Sequence, residues 1–499
     1  MRGEPMGRSF HLRLLSLLFM LLIIPAIGYA VPAFARKYET SCQTCHVAFP
    51  MLNPFGQAFR NNGYRMPEGE QQLSREPLIP LGAEPWKKLW PHAVWPGKIP
   101  RWFPLALKVD FAFRQATTST PEVQTDMAFP DHLDLFVAGN LGGAFSYFIN
   151  LALLHHGEFG GLERAFVQIH PLQHSLLLNI RIGAIDVRAV PYPIHTSLIQ
   201  KATFFASGVI DLTSLAQGVV VLQMPDDATR FVPGATQRGL ELWGVQALHS
   251  FGLEWALGIV NGNGLGGEEA LASDTQDDLM VPFEPLDNNN AKDVYGRIRL
   301  KIGGFPIDGK IPRKTNDRPA SVPQLMSWQD TALWVGASFY VGKQPTQYGG
   351  EERIRRYGID GVFWWKNIRL FGSYWWGSNW NDRIRDAGFF NRIPLPADLL
   401  GPDAGLQMNA RLYVVEGDVI VYPWLIAAVR WEKITISSVF IRHGGETTAL
   451  PQPVSPTRWT PHVTVLVRAN VKFIVEGSFY TGERYHALNM IETRLVFAF

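Results

Sequence analysis

Cysteine is nearly missing from this chain: 499 residues hold two, both inside Cys42-Gln43-Thr44-Cys45-His46. A disulfide-stapled scaffold is excluded, since such folds need several pairs. A structural zinc centre needs four N or S ligands, and there is no second C-x-x-C. Charge is sparse as well. Asp, Glu, Lys and Arg make up 18% of residues, below the ~25% of ordinary soluble domains. A formal net charge of +2 favours neither nucleic acid nor an anionic surface. After Ile24 no apolar run reaches the ~20 residues that a helix needs to span a bilayer. No P-loop, dinucleotide fingerprint or Ser-His-Asp arrangement stands out, which leaves no hydrolase or transferase motif. The glycines between Gly262 and Gly267 lack the strand-turn-helix setting that would cradle phosphate.

The cysteine pair is the most specific feature present. C-x-x-C-H reads as a covalent c-type haem site. Two thiols at this spacing reach the two vinyl groups of one haem, and the adjacent imidazole lies under the iron. Haem iron held by His is a one-electron centre. The alternatives are a redox dithiol, which would want a neighbouring βαβ pattern, or a small structural disulfide. Val47 to Tyr64 shows no βαβ pattern; it is short and rich in turn residues.

The first 35 residues read as an export signal. Arg2, Arg8 and Arg13 form a basic start, Leu14 to Ile24 an apolar run of about a dozen residues, and Ala33-Phe34-Ala35 a cleavage site, with Ala30 a rival. The run is shorter than the ~20 residues of a spanning helix. An uncleaved anchor is the alternative. Residues 36–103 then carry the haem segment and a linker rich in Pro and Trp, and 104–499 form a separate unit.

That unit is a series of short alternating segments with aromatic enrichment: 12% aromatic, with 16 Trp and 31 Phe. In Leu105 to Arg114, Leu105, Leu107, Val109, Phe111 and Phe113 share one face, and Lys108, Asp110 and Arg114 the other. Val294 to Ile302 repeats the pattern, with Arg297, Arg299 and Lys301 on the polar side. Tyr357 to Trp365 and Ile368 to Trp376 read as a hairpin turning at Lys366-Asn367. Tyr413, Val415, Val419 and Val421 alternate with Glu416 and Asp418, and Val471, Phe473, Val475 and Phe479 with Lys472 and Glu476. Period-two runs of ~10 residues, apolar out and polar in, are the mark of a transmembrane antiparallel β-barrel. A soluble sandwich would bury those charges unpaired. The chain ends on Phe499, aligned with Phe497, Leu495 and Ile491 and opposite Arg494 and Glu492. Roughly 395 residues at about 25 per strand and connection give on the order of 16 strands. The expected fold is therefore all-β, a barrel of about 16 strands with a small N-terminal haem segment. The polar insert Asn261 to Lys292, with seven carboxylates, reads as an extracellular loop; Thr196 to Gly218 and Phe305 to Ser327 read as further loops or lumenal excursions.

Phe49, Leu52, Phe55 and Phe59 stand at helical spacing as a cover for a haem edge, and Asn62-Gly63 ends the turn. So short a segment rarely folds alone, so burial inside the barrel is expected. C-x-x-C-H followed by P-x-L-N-x-F-G-x-x-F and N-G-Y, ahead of such a barrel, resembles the fused monohaem cytochrome–porin family, which includes iron-oxidising outer-membrane cytochromes. The match covers Arg36 to Pro67 and the architecture. It implies one haem c held by Cys42 and Cys45, with His46 as proximal ligand to the haem iron. Met66 and His92 are the candidate distal ligands; Met51 stands too close to His46 to cross the haem. The barrel histidines, His132, His155, His156, His170, His174, His195 and His249 among them, read as structural or solvated.

Function then divides three ways. The first is an outer-membrane electron-transfer protein, acting as an Fe(II) oxidase, that takes electrons from an extracellular metal-ion donor near the outer opening and passes them to a periplasmic cytochrome or other acceptor. The second is a solute porin with a haem-bearing plug or redox sensor. The third is a soluble exported cytochrome. The expected location is the bacterial outer membrane, in contact with its lipid.

Overall fold

The computed structural model describes residues 33–67, except 39, the short strands Leu78–Pro80 and Lys98–Pro100, and most of 104–499. Residues 1–32, 68–77, 81–97, 211–228, 263–290, 311–328 and 382–404 lie outside the described residues, as do shorter pieces of several connections. The signal sequence up to Pro32, His92, His156, His174, His195, His249 and nearly all of the acidic insert fall in those stretches.

Residues from Leu105 to Ala498 form one closed antiparallel barrel. It closes because the last strand, Met490–Ala498, pairs with the first, Leu105–Thr117, with Leu495 opposite Phe111. There are sixteen strand positions. Leu425–His443 pairs along its length first with Thr457–Arg468 and then with the short Glu446–Leu450, so these two share one position. The alternation read from the sequence sets the faces. Along Asp293–Gly303, Val294, Ile298, Leu300 and Ile302 are exposed outward, while Tyr295, Arg297 and Lys301 are buried in the lumen. The hairpin at Lys366-Asn367 is present, with Lys366 in the left-handed region at φ 55°.

Connection length distinguishes the two ends. Asn367, Pro423-Trp424 and Ala469-Asn470 make tight turns at one end, where Phe499 also lies. Long connections, 187–235 and 261–292 among them, leave the other end. Outer-membrane barrels keep short turns on the periplasmic side and long loops outside, which assigns the ends here. One long connection, 304–329, breaks the pattern by leaving the tight-turn end.

The lumen departs from the expected polar interior. Charged pairs line much of it: Arg297 donates to both oxygens of Asp360 at 2.8 Å, and Arg494 lies 2.8 Å from Asp131. Toward the long-loop end, however, the inward residues turn apolar. Met408, Leu412, Val414, Ile434 and Ile436 are buried with Tyr295, Tyr340 and Trp375. Val187, Ala189, Val190 and Phe204 of the 187–235 connection complete this cluster. Carboxylates of the wall hold that connection inward. Glu476 accepts from the backbone N–H groups of Gln200 and Lys201, both at 2.7 Å, and Glu432 accepts from Phe204 N–H at 2.9 Å. Orphan backbone donors buried in a lumen need such partners.

Candidate functional site: the C-x-x-C-H turn in the barrel mouth

The N-terminal segment is a compact sequence of short elements: helix α1 (Ala33–Tyr38), a 3₁₀ turn (Cys42–Thr44), strands β1 (His46–Ala48) and β2 (Met51–Leu52), and helix α2 (Pro54–Asn61). The expected helical face is only partly helical. Phe55 and Phe59 lie on α2, whereas Phe49 and Leu52 belong to the β1–β2 ribbon, because Pro50 and Asn53-Pro54 keep the chain extended before the helix.

Asn53 organises the segment. Its backbone is extended and it caps α2, with Oδ1 accepting from Gly56 N–H at 2.8 Å and Pro54 following at the first helical position. The same amide donates through Nδ2 to the carbonyls of Gln43 and Thr44, each at 3.0 Å, and Asn53 N–H donates to the Cys45 carbonyl at 3.0 Å. One side chain thus ties the helix start to the cysteine turn. Gly56 is required by that closeness: a Cβ there would stand 1.9 Å from the Cys45 carbonyl oxygen. The helix ends as expected, Gly63 taking φ 68° with its N–H on Arg60. A Cβ on Gly63 would stand 2.3 Å from His170 Nε2 of the barrel.

Cys42 and Cys45 are not bridged to each other, which leaves both thiols available for thioether bonds. His46 is oriented by a contact of Nδ1 with the Pro50 carbonyl at 3.3 Å. A carbonyl only accepts, so Nδ1 carries the hydrogen and Nε2 is left with its lone pair, the arrangement that fixes a histidine as a metal ligand. All three side chains sit within the molecule yet keep accessible surface. Burial pushes the Cys45 thiol up to about 12, with Cys42 adding to the effect, and raises Cys42 as well. Burial pushes His46 down to about 4, so its imidazole is neutral. Two thiols and a neutral, oriented imidazole suit a c-type haem.

Of the two methionines near the cysteine turn, one packs beside it. Met66 is buried with Tyr38, Phe55, Phe59 and Tyr64 in a cluster against which Cys45 packs. Met51 belongs to a different cluster, with Val47, Ala48 and the wall residues Trp364, Ile420, Ile426 and Leu466. His92 lies outside the described residues. His170 and His174 form an H-x-x-x-H spacing, but His170 is structural: Nδ1 contacts Asn179 Oδ1 at 2.8 Å and Nε2 contacts Ser146 Oγ at 3.1 Å. Among the described residues no group of three or more His, Cys, Asp or Glu side chains is placed to hold a metal ion.

The barrel grips this segment at its tight-turn end. Gln43 donates to the Pro423 carbonyl at 2.9 Å, in the turn itself. Lys472 donates to the Phe49 carbonyl at 2.7 Å, Asn62 donates to the Asp308 carbonyl at 2.8 Å, and Tyr64 stacks on Phe148 of the wall with centroids 5.8 Å apart. Burial inside the barrel was expected; the end was not. The sequence suggested a haem near the outer opening, and the contacts put the cysteine turn at the periplasmic mouth. What holds it there is the set of partners at that end, Pro423 in one tight turn and Lys472 just past another. Leu198 of the inward connection packs with Val47 and Met51, so the two lumenal pieces meet.

Asn53, Gly56 and the Pro50 carbonyl were missed as functional positions by sequence reasoning. Asn53-Pro54 carried a cap signal; the cross-brace to Gln43 and Thr44 had none.

No protein-family model matches the chain, and neither does any curated protein. Solved structures match across the barrel. An anion-selective porin from Comamonas acidovorans is 9% identical with a TM-score of 0.44, covering 79% of this chain and 98% of that one. OmpT of Vibrio cholerae, expressed in the outer membrane, is 8% identical at 0.42 over 79% and 97%. The outer-membrane channel DcaP of Acinetobacter baumannii is 8% identical at 0.40 over 79% and 96%. These likenesses concern the fold alone.

Proposed function

We propose that this chain is an outer-membrane electron-transfer protein whose N-terminal segment carries one haem c on Cys42 and Cys45, with His46 as proximal ligand. The observation that supports it most is the cross-braced turn: Asn53 fixes the cysteine loop while Pro50 commits His46 Nδ1 and leaves Nε2 for iron. A c-type haem supplies a one-electron centre. The remaining work belongs to the chain. Phe55, Phe59 and Met66 provide apolar cover, Met66 and His92 are the candidates for the second axial position, and the wall residues Trp364, Ile420, Ile426 and Leu466 cover Val47 and Ala48 beside His46.

Placement at the periplasmic mouth suits transfer to a periplasmic cytochrome or other acceptor. The donor is then extracellular, and ferrous iron is the one that the sequence resemblance implies. The second reading is a solute porin with a haem-bearing plug, and the closed sixteen-strand barrel favours it. Against it stands the apolar cluster in the long-loop half of the lumen, since a solute channel wants a polar, water-filled interior.

Two measurements on the purified protein separate these readings. A pyridine haemochrome assay should give one haem per chain, and liposomes carrying the protein should show no flux of small solutes. Absent haem would end both readings, and free solute flux with haem present would select the plugged porin.

A further inference from the structure

The lipid-facing wall carries a second feature that electron transfer does not use. On four consecutive strands (Glu351–Lys366, Ile368–Asn381, Gly405–Tyr422 and Leu425–His443) the outward residues near the tight turns are apolar, ending in a rim of Trp365, Tyr422 and Trp424. A second aromatic rim, Tyr357 and Trp376 with ring centroids 5.9 Å apart, stands further along. Barrels carry such girdles at both membrane interfaces. The strand from Tyr422 to Arg411, at ~3.3 Å rise per residue and ~40° tilt, climbs roughly 28 Å, about the height of the ~25 Å apolar band. Arg411 therefore stands at the outer-leaflet interface.

Three cations share that level. Arg411 pairs in register with Trp376, Arg355 stands one row above Tyr357, and Lys433 pairs in register with Tyr413. None of their side chains makes a hydrogen bond or ion pair with another described residue. Among the described residues of these strands, the carboxylates from Arg355 to the tight turns, Asp360, Glu416, Asp418 and Glu432, are all buried on the lumenal side.

A cleft of about 470 Å³ opens beside the second rim, on its long-loop side, lined by Tyr357, Trp376, Ser378, Asn409 and Arg411. A β-bulge builds its far side. Asn409 pairs with Ser438 and Ala410 with Ile436, which makes Ser437 the extra residue and brings both serines to the cleft. Asn409 Nδ2 donates to Ser438 Oγ at 2.8 Å. Bulges commonly re-aim side chains beside a site.

We propose that this cleft binds the phosphate-bearing headgroup of an anionic lipid in the outer leaflet. Arg411 in the cleft and Arg355, in register with Ser378 at its edge, supply charge complementarity, the hydroxyls and the amide supply donors, and the Tyr357–Trp376 rim flanks the first acyl carbons. The occupant is a lipid, because the cleft opens sideways at the interface, where acyl chains extend along the apolar strands below.

The test uses the full-length protein in lipid nanodiscs, read by native mass spectrometry for retained lipid. The probe is a diphosphorylated, acylated disaccharide lipid, compared with its dephosphorylated form and with inorganic phosphate. The wild-type protein should retain the phosphorylated lipid preferentially. R355Q/R411Q should weaken retention on the order of thirtyfold, the effect of losing two interfacial cations, while R355K/R411K restores it. Unchanged heat-modifiable mobility shows that the variants are folded; should the Gln variant fail to fold, the wild-type comparison of the two lipids decides alone. Equal retention of both lipids, or equal retention by a folded R355Q/R411Q, would overturn the proposal. So would competition by inorganic phosphate at a potency equal to that of the lipid, which would make the cleft a simple anion site.

Discussion

At the residue scale, a few hydrogen bonds carry the cysteine turn. Asn53 caps α2 and holds the Gln43 and Thr44 carbonyls at once, so Asn53→Ala removes more than the ~1 kcal/mol of an ordinary cap. We expect haem content per chain to fall severalfold, measured by pyridine haemochrome assay on equal amounts of folded barrel. Unaltered haem content would remove Asn53 from the design of the site. Gly56→Ala is a steric counterpart, since the new Cβ meets the backbone oxygen of Cys45 at 1.9 Å and that atom cannot rotate away. It should lower haem content at least as much. Cys42→Ser and Cys45→Ser should each weaken or abolish covalent attachment while leaving the barrel's heat-modifiable mobility intact.

At the scale of elements, the strand Val471–Thr481 holds both lumenal pieces. Lys472 binds the Phe49 carbonyl, Glu476 binds the amides of Gln200 and Lys201, and Tyr480 lies beside Phe204 with centroids 6.3 Å apart. Replacing Glu476 and Glu432 by Gln weakens charge-assisted acceptance of three backbone donors. The double variant should show raised and fluctuating conductance in planar bilayers, with the haem still attached. A silent bilayer would mean that the apolar cluster alone holds the connection inward. These elements also mark how far the sequence could be read. Strand faces were legible at Val294–Ile302 and at the hairpin of Lys366-Asn367, because side-chain alternation follows directly from the pleat. The apolar lumen around Leu412, Ile434 and Met408 was not, since there the alternation is reversed: these inward residues are flanked by outward Gln407, Asn409, Arg411, Lys433 and Thr435, and periodicity alone does not say which of two alternating faces is the lumen. Cys42, Cys45 and His46 were legible as a spacing. Their seat in the barrel was not, because Lys472 and Pro423, which bond to Phe49 and Gln43 beside them, stand hundreds of residues away in sequence. The export signal has its own test at this scale. Phe34 of α1 packs on Phe59 at 5.1 Å and stacks on Tyr64 at 5.6 Å, contacts that a cut after Ala35 removes and a cut after Ala30 retains. N-terminal sequencing should accordingly give Val31 as the first residue; Arg36 would mean that these contacts are lost on export.

At the scale of the molecule, a closed barrel fixes the C-x-x-C-H turn at one membrane face and leaves the long loops at the other. Closure depends on the terminal strand: Leu107 and Phe499 exchange backbone hydrogen bonds at 3.0 and 2.8 Å, and Phe497 meets Phe111 edge-on at 6.0 Å. The most direct test of electron transfer is stopped-flow haem reduction in proteoliposomes of known orientation, with Fe(II) supplied only on the long-loop side, followed by oxidation through a periplasmic-type cytochrome on the tight-turn side. We expect reduction that depends on His46 and on whichever of Met66 or His92 is the distal ligand, with no accompanying solute leakage. A haem that Fe(II) fails to reduce at any accessible potential across several pH values, in vesicles freely permeable to small solutes, would contradict it and leave a plugged porin.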